Sequence, residues 1–224
     1  RDFAKQFGAV VISASYRLTP EHRFPVQIED GWDTMVWLAT NAPLKYGAQL
    51  DQGFIVGGFS SGGTIAAVLL QQAHDRSLYP PLTGAFISIP LLLVDEIVPE
   101  KYRAEWTSRR TNTQDPAIDK ESINQILANL KPDIHSPLFS PFNAPIPHKG
   151  LPRTYVQVCG LDPVRDDGLI YERALRENGV ETRLDNYPEL THAGWTIFVN
   201  DSSPKELGPN TLNAMAWLLR RDEN

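Results

Sequence analysis

Short apolar runs alternate along the chain with longer stretches in which apolar residues recur every three or four positions, a rhythm of strand and helix. Asp2 to Gly8 reads as a helix running into Ala9 to Ser15, a β-branched run suited to a strand buried on both faces. Ile28, Trp32, Met35, Val36 and Ala39 then share one helical stripe. Phe54 to Val56, Leu82 to Ile89 and Tyr155 to Val158 read as further strands, and Glu181 to Tyr187 alternates enough to be another. Thr64 to Ala73 and Asp166 to Asn178 predict helices, the second stopped by Gly179, and Leu212, Met215, Ala216 and Leu219 mark the inward stripe of a last helix. Strands separated by helices pair in parallel with helices on both faces, so the expected class is a single α/β domain over residues 1–224. Asp95 to Ser136 interrupts the rhythm: it is charged, strandless, and holds a helix whose stripe is Ile123, Ile126, Leu127 and Leu130. Inserted after the third sheet strand, it is expected to be a lid over a site at the strand ends.

Composition narrows the classes of function. Apolar residues at 42% and charged residues at 21% describe a chain that buries a core. The net charge of −6 argues against a nucleic-acid partner, which requires a basic surface. The longest apolar runs, Ala66 to Leu70 and Ile89 to Val94, fall far short of the roughly 20 residues of a membrane helix, so no membrane span is expected. Cys159 is the single cysteine; it permits a reducing compartment, and a cytoplasmic protein is the expectation. No His/Cys cluster has metal-ligand spacing, so neither a metal nor an organic cofactor is expected. A homo-oligomer is left open.

The chemistry concentrates in three loops. Gly58-Phe59-Ser60-Ser61-Gly62 is a Gly-x-Ser-x-Gly set between a strand and a helix, the setting of a nucleophile elbow. The turn brings the residues two before and two after the nucleophile nearly into contact, and Gly58 and Gly62 would relieve that clash around Ser60, whereas Ser61 would place Phe59 in a tight position. Ser60 is therefore the expected nucleophile, and the Ser61 amide, at a helix start, an oxyanion donor. A Walker phosphate loop would need a Gly-Lys-Ser/Thr that is absent. Asp162 follows the fourth strand and His192 the fifth, giving the order Ser, Asp, His of a hydrolase triad. Asp166 and Asp167 are expected to cap the helix they begin. His22, His74, His135 and His148 lie in other loops or helix ends.

Taken together, these segments resemble the hormone-sensitive-lipase-like carboxylesterases of the α/β-hydrolase fold. Tyr16-Arg17-Leu18-Thr19-Pro20-Glu21-His22-Arg23-Phe24-Pro25, the Gly58 to Gly63 elbow and Asp162-Pro163-Val164-Arg165-Asp166 are similar, in order, to that family's motifs. The resemblance implies Ser60 as nucleophile, His192 as general base and Asp162 as orienting acid, with Arg17 and Glu21 as scaffold, acting on a small-molecule carboxylic ester of short to medium chain. Phe59 and Ser61 depart from the family's acidic residue and alanine, and Ala193-Gly194-Trp195 from its His-Gly-aromatic pattern. The family's His-Gly-Gly-Gly loop has no counterpart upstream of Tyr16, and the chain opens at Arg1 without Met. That loop, the early strands and the cap helices are therefore expected in residues encoded before Arg1. Two other readings stay open: a peptidase or amidase of the same fold, and a non-catalytic binding homologue like the plant gibberellin receptors, which lose the histidine kept here as His192.

Overall fold

A computed structural model describes residues 1–197 and 205–221. In chain order the elements are α1 (Asp2–Phe7), α2 (Val26–Tyr46), β1 (Ile55–Phe59), α3 (Ser61–Asp75), β2 (Gly84–Ser88), α4 (Ser108–Thr111), α5 (Lys120–Leu130), β3 (Thr154–Cys159), α6 (Arg165–Glu177), β4 (Thr182–Tyr187), α7 (Gly194–Ile197) and α8 (Leu207–Leu218). The strands form one parallel sheet in the order β1-β2-β3-β4, with Val56 opposite Ala85, Ala85 opposite Thr154, and Thr154 opposite Thr182.

Because successive strands step in one direction across the sheet, right-handed crossovers send every connection to the same face. That face carries the main core: Ala66, Leu70, Ala85, Ile87, Val156, Val158 and Leu175 are almost wholly buried between the strands, α3 and α6, with α2 packed behind α3. The pleat turns the alternate residues Ile55, Phe86 and Tyr155 to the opposite face, where α1 and α8 cover them. Phe86 and Tyr155 stack there at 5.2 Å between ring centroids.

Several expectations need correction. The strand predicted over Ala9 to Ser15 does not form; Val10, Val11 and Ile12 remain 44–49% exposed. A strand rich in β-branched residues needs a ladder neighbour. Among the described residues this segment has none: a groove of about 700 Å³ separates residues 11–16 from the edge strand β1. In α2, Val36 faces outward, and Gln27, Ile28, Met35, Ala39 and Ala42 are the buried positions. In α8 the buried face is Ala214, Met215, Trp217 and Leu218, rotated from the expected stripe because the helix lies across Tyr155.

The stretch after β2 is anchored in the protein interior. Val98, Tyr102 and Trp106 belong to the main core. Asp166 and Asp167, expected to cap α6, bind this stretch instead. Asp166 accepts the backbone N–H groups of Thr107 and Ser108 and pairs with Arg165. Burial opposes its ionisation, but Arg165 and those amides outweigh burial and hold its pKa below the usual carboxylate value. Asp167 accepts Leu92 N, Leu93 N, Trp106 Nε1 and Arg109 Nη2. No side chain caps α6, whose N-cap is Val164.

His148 is buried against the edges of Phe142 and Tyr171, and neither ring nitrogen has a hydrogen-bond partner in the protein. Burial, reinforced by the charge of Lys101, pushes its pKa down from 6.5 to about 4. The folded state therefore keeps His148 neutral where the unfolded chain takes up a proton. Its contribution is complete above about pH 6.5 and is lost as pH falls towards 4, up to roughly 3 kcal/mol. His148→Asn, which tolerates the left-handed backbone (φ 68°) and does not titrate, is expected to flatten the fall in Tm between pH 7 and pH 4.5. Parallel melting curves for the two proteins would refute this account.

Candidate active site

The C-terminal ends of β1, β3 and β4 point to one edge of the sheet, and each delivers one residue to a common point. Ser60 follows β1 directly and caps α3 with φ 53° and ψ −125°, a conformation that non-glycine residues hold only where their surroundings over-determine it. Here the constraint comes from both sides: Ser60 N donates to Ser88 O at the end of β2, and Thr64 N donates to Ser60 O inside α3.

The glycine argument holds at Gly58 and fails at Gly62. A Cβ on Gly58 would lie 2.4 Å from the Gly62 carbonyl carbon, so the close approach is real. A Cβ on Gly62 would meet nothing within 4 Å. The second indispensable glycine is Gly63, where a Cβ would sit 2.6 Å from Ser88 O and 3.2 Å from Gly58 O. The helix leans its Gly63 side, not its Gly62 side, onto the strand ends.

Asp162 and His192 meet because the loops after β3 and β4 are zipped together. Gly160 N donates to Tyr187 O and Leu161 N to Leu190 O, and Gly160 packs so closely that a Cβ would be 2.3 Å from Pro188 O. Asp162 is fully buried; its Oδ1 accepts Val164 N at 2.8 Å, and its Oδ2 lies 2.7 Å from His192 Nδ1. His192 Nε2 lies 2.8 Å from Ser60 Oγ. Three residues from three loops thus form one continuous hydrogen-bonded line. Ser61 is the first residue of α3, so its amide has no partner within the helix, while its Oγ contacts Tyr16 OH at 2.8 Å.

The family model described as the alpha/beta hydrolase fold matches residues 1–196. The chain belongs to the α/β-hydrolase fold family. Its relatives include a fission-yeast (Schizosaccharomyces pombe) protein named AB hydrolase superfamily protein B1A11.02, 36% identical over 96% of this chain and 63% of that protein. Versiconal hemiacetal acetate esterase of Dothistroma septosporum is 35% identical over 96% of this chain and 66% of its own length. Among solved structures, vibralactone cyclase superposes with a TM-score of 0.87 at 32% identity, covering 94% of this chain and 62% of that one. An esterase of Pyrobaculum calidifontis gives 0.75 at 29% identity, over 98% of this chain and 68% of that one. The chain thus spans somewhat under two thirds of the length of the first two relatives.

In this α/β-hydrolase chain, Ser60 and His192 open into a cavity of about 340 Å³. Its walls include Phe24, Ile65, Leu91, Ile118, Leu138 and Phe139, and among the described residues no Asp, Glu, Lys or Arg lines it. The stripe on α5 finds its purpose here: only Ile123 is buried in protein, while Ile126, Leu127 and Leu130 face the cavity. Arg17 holds the entrance loop by pairing its guanidinium and its backbone N–H with Asp30 of α2, which fixes Tyr16 beside Ser61. Cys159 is buried behind the site; burial, then the charges of Asp162 and Asp115, push its thiol pKa well up, leaving it unreactive. Sequence reasoning passed over Gly63, Gly160 and Asn112, whose Nδ2 donates to the carbonyls of Gly160 and Asp162 at 2.9 Å each. For the two glycines the signal was present, in a Gly-Gly pair after the elbow and a Gly directly after a strand. Among the described residues no group of His, Cys, Asp and Glu could hold a metal, and no helix is long and apolar enough to cross a membrane.

Alanine substitution separates the three elbow glycines. Gly58→Ala and Gly63→Ala are each expected to destabilise the fold by about 1–3 kcal/mol through backbone overlap, roughly 2–10 °C in Tm. Gly62→Ala is expected to melt within about 2 °C of the parent. Thermal unfolding of the three variants checks the order, and a Gly62→Ala protein as unstable as Gly58→Ala would contradict it.

Proposed function

We propose that the chain acts as a serine carboxylic ester hydrolase through an acyl-enzyme. The observation that carries this reading is the line Ser60 Oγ, His192 Nε2, His192 Nδ1, Asp162 Oδ2, with contacts of 2.8 and 2.7 Å. As Ser60 Oγ attacks the ester carbonyl, His192 Nε2 takes its proton, and Asp162 holds the Nδ1–H and balances the imidazolium charge. The developing oxyanion receives the free N–H of Ser61 and the positive end of α3. His192 then returns the proton to the departing alkoxide, the C–O bond breaks, and the acyl group stays on Ser60. Water attacks that acyl ester with His192 again as base, releasing the acid and restoring the hydroxyl. None of these steps calls on a metal or organic cofactor.

The substrate class follows from the cavity. An uncharged, largely apolar space of about 340 Å³ suits an ester with a short- to medium-chain acyl group and offers a charged one no partner. The stretch 95–136, with α5 as its cavity-facing wall, serves as the lid. Relatives named as esterases support the same reaction class, among them carboxylesterase NlhH of Mycobacterium tuberculosis, 34% identical over 82% of this chain and 56% of that protein.

A fluorophosphonate probe is expected to label Ser60 in the wild-type protein and to leave Ser60→Ala untouched, with hydrolysis of a p-nitrophenyl ester falling at least about 10³-fold in that variant. Labelling that survives Ser60→Ala would sink the assignment, and faster cleavage of a matched anilide than of the ester would make the protein an amidase.

A further inference from the structure

The stretch between β2 and β3 reaches the two loops that orient the nucleophile, and it does so with directed bonds. Ser108 Oγ and Arg109 Nη1 both donate to Pro163 O, at 2.7 and 3.0 Å, and Asn112 holds the carbonyls of Gly160 and Asp162. Three residues further on, Asp115 is buried at 8% exposure and uses both carboxylate oxygens. Oδ1 accepts Ala117 N at 2.8 Å and Ile118 N at 3.1 Å, an Asx turn that seats Ile118 in the cavity wall. Oδ2 accepts the backbone N–H of His192.

The loop carrying His192 lies outside regular secondary structure, and the backbone turns left-handed immediately after it, with Ala193 at φ 52°. Such a turn persists only where the surroundings impose it. Asp162 fixes the imidazole through Nδ1, whereas the main-chain N–H of His192 is held by Asp115. We propose that Asp115 is a positioning residue for His192: its carboxylate pins the His192 main chain so that Nε2 meets Ser60 Oγ in line for proton transfer. This rests on the hydrolase reading above and extends it, because it makes the inserted stretch part of the apparatus that sets turnover as well as a cover for the substrate. Displacement of a reacting group by about 1 Å costs on the order of 10²-fold in rate, so the effect belongs in kcat. Substrate binding, which depends on the apolar walls, stays as it is.

Two variants separate this role from a purely local one. Asp115→Asn keeps an oxygen for the Asx turn but sets an N–H donor against the His192 N–H. Asp115→Ser keeps a hydroxyl acceptor for the turn and is too short to reach His192. For both, kcat on a short-chain p-nitrophenyl ester is expected to fall about 10- to 100-fold while KM stays within about twofold, and the fluorophosphonate inactivation rate of Ser60 is expected to fall in parallel. Circular dichroism and Tm establish that the variants are folded, and the stoichiometry of labelling at saturation normalises the rates to competent sites. A folded variant whose kcat stays within about twofold of wild type would overturn the proposal, as would a rise in KM that accounts for the loss of kcat/KM. A wild-type protein that takes no label at Ser60 would instead refute the hydrolase reading itself, so the two failures are distinguishable.

Discussion

At Ser60 the chain changes from strand to helix within one residue, and the rest of the site depends on that bend. Its φ of 53° and ψ of −125° are held by Ser88 O on one side and Thr64 N on the other. The bend lifts Ser60 Oγ clear of the sheet edge, where His192 reaches it, and directs the first amide of α3 to the same side. It is possible only because Gly58 and Gly63 let the ends of β1, β2 and α3 approach to backbone contact. Side-chain freedom is given up at both positions so that one hydroxyl is held in a fixed place.

The second constraint is the pairing of the loops after β3 and β4. Two strands that lie side by side in the sheet end in loops that continue to exchange backbone hydrogen bonds, with Gly160 against Pro188. Asp162 and His192 are therefore neighbours by register and need no long-range adjustment to find each other. The buried carboxylates around them divide the labour: Asp162 serves the imidazole, whereas Asp166 and Asp167 bind amides, Trp106 and Arg109 of the stretch after β2. That stretch is thereby fixed to the site by charge-assisted bonds in a poorly solvated region, where removing one partner would leave the other buried and unpaired.

Apolar surface that the core leaves unused defines the cavity. α5 buries one residue in protein and turns the remainder of its stripe towards the space beside Ser60, and Ile118 and Phe139 complete the wall. The site thus sets one polar line of residues within a surrounding apolar lining.

Much of this was legible in the linear sequence. The parallel α/β class followed from apolar runs separated by helical stripes, and Ser60, Asp162 and His192 stood out because each follows a strand in hydrolase order, which is local information. Position in the sheet was not local. Ala9 to Ser15 has the composition of a buried strand, yet it has no ladder among the described residues, because pairing needs a neighbour and composition does not supply one. Which glycine of the Gly62-Gly63 pair is indispensable depended on how α3 leans against β2, a question of a few ångströms. Asp166 and Asp167 read as helix caps until folding brought Thr107, Ser108, Trp106 and Arg109 to them across 58 to 61 residues. The sequence by itself determined the four paired strands, the longer helices, their order and the three chemical groups, since propensity, periodicity and motif act over a few residues. Only the tertiary structure decided what each buried carboxylate holds and which apolar stripe faces the cavity, because burial and hydrogen-bond partnership belong to pairs of segments that the chain places far apart.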